Sequence, residues 1–157
     1  MRRFGLIALV AESLVVLIAG AALARPADAR TQAAPVRLLA DLACAQGGGA
    51  DVTFTVRNLG HRTLTIENDF HLVLDKVEPG GREFVGAVFV FPVPELAVIA
   101  PGGKSTFLVP IGTAEEGEPG VDLSAARRLL LEAEVFFEGR EKPVRRLFSF
   151  EGCPEPS

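Results

Sequence analysis

The chain has 157 residues, enough for one domain with a proper core, and its 16 Lys+Arg against 20 Asp+Glu exclude the basic face that nucleic-acid binders carry. Eleven Phe with no Trp and no Tyr supply core volume without the amphipathic rings that many recognition sites use. Gly and Pro are spread as punctuation, so neither a collagen-like nor a low-complexity polymer fits.

Met1-Arg2-Arg3 opens a positive stub, and Phe4 to Ala24 follows as an apolar run broken only by Glu12. Pro26 then stops the helix, and Ala27 and Ala29 set the small-x-small spacing that signal peptidase pockets admit. The leader reads as a signal peptide, residues 1–29, cut after Ala29, with Ala22-Leu23-Ala24 as the second choice of site. The rival is a retained anchor, because Phe4 to Ala24 is long enough to span a bilayer. Either reading exports the rest of the chain, and membrane contact is expected only through residues 4–24 if the leader is kept. Cleavage removes three arginines, one glutamate and one aspartate, turning the net charge from −4 to −5. A short linker, 30–35, leads into the domain, 36–153, and 154–157 form a tail.

From Val36 the hydrophobic period is mostly two. Val36–Cys44 is a first strand, ended by the flexible Gln46-Gly47-Gly48-Gly49 stretch. Asp51–Asn58 places Val52, Phe54 and Val56 on one face. The spacing then predicts a strand over 63–68 with Leu64 and Ile66 inward, and a second over 70–77 with Phe70, Leu72 and Leu74 inward. Phe84–Val93 is apolar on both faces, as a central strand is, although Pro92 and Pro94 demote its end. Glu95–Ala100 is a short strand, and Lys104–Gly112 a longer one. Residues 113–120 form an acidic loop. Ser124 is a candidate helix cap, so one helical turn is expected over Ser124–Arg128. A final hairpin alternates Leu131, Ala133, Val135 and Phe137, then returns with Val144, Phe148 and Phe150 while Leu147 faces the other way.

About eight short strands without a long amphipathic helix predict an all-β, antiparallel β-sandwich behind the leader. The segments VTFTVRNLG (52–60) and LAVIAPGGKSTFLVPI (96–111) resemble the signature stretches of bacterial immunoglobulin-like domains, with Asn58-Leu59-Gly60 and Pro101-Gly102-Gly103 as the matching turns. The chain is similar in this to secreted CARDB-type domains and to the BsuPI-type proteinase-inhibitor sandwich. The resemblance implies an Ig-like fold over 36–153 and carries no catalytic motif.

Cys44 and Cys153 end the first and last strands, and an even pair in an exported chain reads as a disulfide. No Cys-x-x-Cys redox motif is present, and two thiolates alone do not complete a structural zinc site. His61 and His71 are the only histidines; across a 63–68/70–77 hairpin they could hold a transition metal with Asp69 or Glu67. A solvated histidine near a turn is the plainer reading, so no metal and no cofactor is expected. Ser105, Ser124, Ser149 and Ser157 lack the context of an activated nucleophile. Glu115, Glu116 and Glu118 lie in a loop where desolvation cannot tune a carboxyl. Arg127, Arg128, Arg140, Lys142, Arg145 and Arg146 alternate with Glu132, Glu134, Glu138 and Glu141, a pattern that cross-strand ion pairs explain.

The expectation is an exported, non-enzymatic interaction or structural module of the envelope whose partner is another envelope or secreted protein. The alternative is a proteinase inhibitor presenting the Thr113–Val121 loop, with Gly117, Glu118 and Pro119 at its tip. A periplasmic metal-binding protein comes third.

Overall fold

The computed structural model describes residues 35–114 and 119–154; the leader and the tail beyond Pro154 lie outside the described residues. Eight strands run in chain order: β1 (Val36–Cys44), β2 (Ala50–Asn58), β3 (Leu64–Glu78), β4 (Gly81–Val90), β5 (Val98–Ile99), β6 (Lys104–Ile111), β7 (Arg128–Phe137) and β8 (Val144–Glu151). A single helical turn, α1 (Pro94–Ala97), precedes β5. The strands form two antiparallel sheets, one ordered β1-β2-β6 and the other β4-β3-β7-β8 with β5 added to β3.

Period-two alternation explains why these segments pair as they do. In β2, Val52, Phe54 and Val56 are fully buried, and in β6 Ser105, Phe107, Val109 and Ile111 point the same way. Facing them are Phe70, Leu72 and Leu74 of β3 and Leu129, Leu131, Ala133 and Val135 of β7, all without solvent exposure. Phenylalanine rings stitch the layers: Phe54 lies 5.3 Å from Phe70 between centroids, and Phe70 lies 4.9 Å from Phe107. Pro110 is tolerated because β6 is the edge of its sheet, where a missing N–H faces no partner strand.

The turns Asn58-Leu59-Gly60 and Pro101-Gly102-Gly103 meet in space. Asn58 is fully buried. Its Nδ2 donates to the carbonyls of Arg62 (2.7 Å), Ile99 (3.0 Å) and Ala100 (3.2 Å), and its Oδ1 accepts the Gly60 N–H. The Asn58 backbone N–H reaches the Gly103 carbonyl at 3.0 Å. One side chain thus satisfies the backbone groups of both turns, which no apolar residue of that size could do.

Several segments differ from the sequence expectation. Residues 63–68 and 70–77 do not form a hairpin; they are one continuous strand, β3, broken by a bulge. Between Ile66 and Phe70 the register against β7 slips, and Asn68 takes the left-handed φ of 46° that Asn tolerates better than most residues. The apolar stretch 84–93 is not a central strand. Residues 84–90 of it belong to β4, which pairs only with β3 and forms the edge of its sheet, and 91–93 lie beyond the strand. Part of Glu95–Ala100 is the helical turn α1, with β5 reduced to two residues. No helical turn forms over 124–128. Asp122 Oδ1 accepts the Ser124 N–H at 2.9 Å, and this local turn feeds β7 from Arg128.

Candidate functional site

At one end of the two layers, Cys44 closes β1 and Cys153 follows β8; they are bonded, with Cα atoms 5.8 Å apart. The bond joins the edge strands of the two sheets, since β1 and β8 are each outermost. Such a bond suggests an oxidising compartment rather than the cytoplasm. Beside it opens a cleft of about 510 Å³, lined by the Gly47–Gly49 turn, Asp122 and Ser124 as well as the two cysteines. Gly49 has to be glycine: its φ is +74°, and a Cβ there would press on the Gly112 backbone. The Ser124 N–H holds the Asp122 carboxyl below its usual range.

The structure does not bring the two histidines together. Because β3 is continuous, His61 precedes the strand while His71 sits seven residues into it, about 23 Å along at ~3.3 Å per residue. His71 Nε2 lies 3.2 Å from Asp69 Oδ2, and its ring stacks edgewise on Phe89 (4.4 Å) and Phe136 (5.9 Å). Among the described residues no group of three or more His, Cys, Asp or Glu is placed to hold a metal ion. Ser105 is buried in the core, and Ser124 is turned into the Asp122 hydrogen bond. Of the charged final hairpin, Arg145 pairs with Glu134, which holds the guanidinium above its ordinary range.

In the acidic loop, Gly117 and Glu118 lie outside the described residues, and Pro119 is exposed. Its base is pinned: Gly120 N–H donates to Gly47 O, Gly49 N–H to Val121 O, and Val121 N–H to Gly112 O.

The most conspicuous surface feature lies elsewhere. Of nine exposed large hydrophobics among the described residues, six fall between 84 and 98: Phe84, Phe89, Phe91, Val93, Leu96 and Val98. The register shows how they are presented. Across the outer face of the larger sheet run the rows Phe89-His71-Glu134-Arg145, Ala87-Val73-Glu132-Leu147 and Phe84-Asp75-Leu130-Ser149. The face is therefore apolar along β4, while Glu134 and Glu132 of β7 and Arg145 of β8 carry its charge. Beyond β4, Phe91 and Val93 continue the same alternation and are more than half exposed. Strand β4 contains no Lys and no Pro, and its outer edge leaves a row of backbone N–H and C=O groups without a partner strand. Sequence reasoning missed this surface by reading apolar residues on both faces as burial on both faces. The signal was Pro92 and Pro94, which mark a sheet boundary.

No family model matches the chain, and no curated protein does. Solved structures that it is similar to include the β-glucosidase DesR from Streptomyces venezuelae in complex with D-glucose, at TM-score 0.42 and 16% identity over 77% of this chain. The chain spans only 15% of that enzyme's length. A structural-genomics target, SoR45, aligns at TM-score 0.44 and 13% identity, covering 77% of this chain and 87% of its own. A protein from Archaeoglobus fulgidus aligns at TM-score 0.40 and 11% identity, covering 73% and 91%. At this level the likenesses carry no argument about activity.

Proposed function

We propose that the chain is an exported, non-enzymatic protein-interaction module of the cell envelope, an immunoglobulin-like sandwich that docks its partner along β4 and the 91–98 segment. The strand order supports the Ig-like reading: β1-β2-β6 against β4-β3-β7-β8 corresponds to the A-B-E and C′-C-F-G sheets of such sandwiches. The observation that carries the interaction reading is the gathering of exposed Phe84, Phe89, Phe91 and Val93 on an unpaired sheet edge. Exposed apolar residues scattered singly need no explanation, whereas a contiguous patch on a strand edge is the surface that β-strand addition uses.

Site-specific photo-crosslinking in the producing cell tests this. A photoreactive phenylalanine at position 91 should give discrete protein adducts. The same group at Leu108, equally exposed at 73% but on the other sheet, should give none. Equal labelling from both positions, or none from position 91, would sink the reading.

A further inference from the structure

We propose that the partner on β4 is a second copy of this chain, the two β4 strands running antiparallel about a two-fold axis so that the two larger sheets become one. The inference rests on the reading of β4 as a docking surface and names what docks there.

A two-fold contact sets each surface against itself, so it tolerates no uncompensated charge. Strand β4 meets this condition. Between Phe84 and Pro94 no residue is charged. The two charges at its start are already engaged within the chain: Arg82 with Asp75, and Glu83 with Lys76 at 3.3 Å. Lys76 also reaches Glu78 at 2.8 Å, and these carboxylates hold its ammonium above the ordinary range.

The pleat narrows the register. Past the irregularity opposite Leu74 and Asp75, residues 86–90 alternate regularly against β3. Self-pairing keeps both faces matched only if a residue lies on the axis or the register moves by two. With Val88 on the axis, Phe89 of one copy stands opposite Ala87 of the other on the outer face, and Val90 stands opposite Gly86 on the inner. Large thus meets small on both faces.

The available area is sufficient. At ~200 Å² for a whole Phe and ~150 Å² for a Val, the exposed fractions of Phe84, Phe89, Phe91, Val93 and Val98 offer about 550 Å² per copy. Two copies bring about 1,100 Å², just above the ~1,000 Å² that separates specific interfaces from incidental ones. Closure about a two-fold also uses up an edge that would otherwise template open-ended pairing.

The test is sedimentation equilibrium of the oxidised chain as isolated from the producing cell, at tens of micromolar. The expected mass is twice that of the single chain by mass spectrometry. Ala87→Lys brings two like charges within about 7 Å across the axis and should give monomers that still unfold in one cooperative transition, at a midpoint no longer dependent on protein concentration. Ala87→Glu should do the same, and mixing the two variants should restore the dimer. Leu108→Lys should leave it intact. A monomeric wild type, or Ala87→Lys and Ala87→Glu variants that both remain dimeric, overturns the proposal. Monomers together with adducts of a different protein at position 91 remove the second copy but keep the docking surface; monomers with no adduct remove both.

Discussion

Replacing Cys44 and Cys153 together by Ser removes a cross-link whose ends are 109 residues apart. Cys44 is exposed and Cys153 half-buried, so the substitution opens little cavity and the loss should come from the unfolded chain. On the chain-entropy account a closed loop of this size contributes about 4.8 kcal/mol at 25 °C. For a domain of this size each kcal/mol moves the midpoint by about 4 °C, so the thermal transition should fall by about 20 °C. Urea titration of oxidised wild type and double variant gives the free-energy difference, and the m-value should rise as the unfolded chain expands. Reduction of the wild type should reproduce both effects. Hydrogen exchange adds a local readout: β8 is an edge strand whose Phe148 and Phe150 are only part-buried, and its amides should lose protection first. A loss under about 1 kcal/mol would refute the reasoning, since it would mean that the unfolded ensemble gains little freedom when the bond is absent.

Phe54→Ala empties a fully buried site between Phe70 and Phe148 and should cost about 4 kcal/mol by denaturant unfolding, whereas Leu108→Ala, on an exposed face, should stay within about 0.5 kcal/mol. Asn58→Ala strips the carbonyls of Arg62 and Ile99 of their donor and the Gly60 N–H of its acceptor; a loss of about 3 kcal/mol is expected, and one below about 1 kcal/mol would show that water replaces the clasp. The Asp122 carboxyl is held below its ordinary value of 3.8, so its contribution is present above about pH 4 and lost as pH falls through the lowered value. Stability of the wild type should therefore decline more steeply in acid than that of Asp122→Asn, and parallel profiles would count against the hydrogen bond from Ser124.

Where the chain alternates with one face buried, its structure was legible from the sequence. β1 runs over Val36–Cys44 as the pattern predicts, and Val52, Phe54, Val56, Leu131, Ala133 and Val135 point where alternation sends them. Local signals were less decisive where tertiary pairing could override them. Asn68-Asp69 is a good turn dipeptide, yet β7 pairs with residues on both sides of it, so the turn became a bulge. Ser124-Ala125-Ala126 favours a helix, but Arg127 N–H is bonded to the Val77 carbonyl and draws the segment toward the sheet. The β4 surface was harder to read for a different reason, with only Pro92 and Pro94 at its end to mark a boundary. An alternation that is apolar on both faces is the same pattern whether the outer face meets another layer of this chain or is left open.

The position of the bond at the ends of the first and last strands also decides how the domain would carry force. Tension applied at Pro35 and Pro154 travels along β1, crosses the sulfur bridge from Cys44 to Cys153 and leaves, so the 109-residue span between them bears no load through its backbone. While the bridge is intact a pull can peel only the nine residues of β1, about 30 Å of chain. Once it is reduced the same pull can extract about 380 Å, the contour of the whole loop. A thiol reductant thus changes the domain from a short, stiff link into a long extensible one.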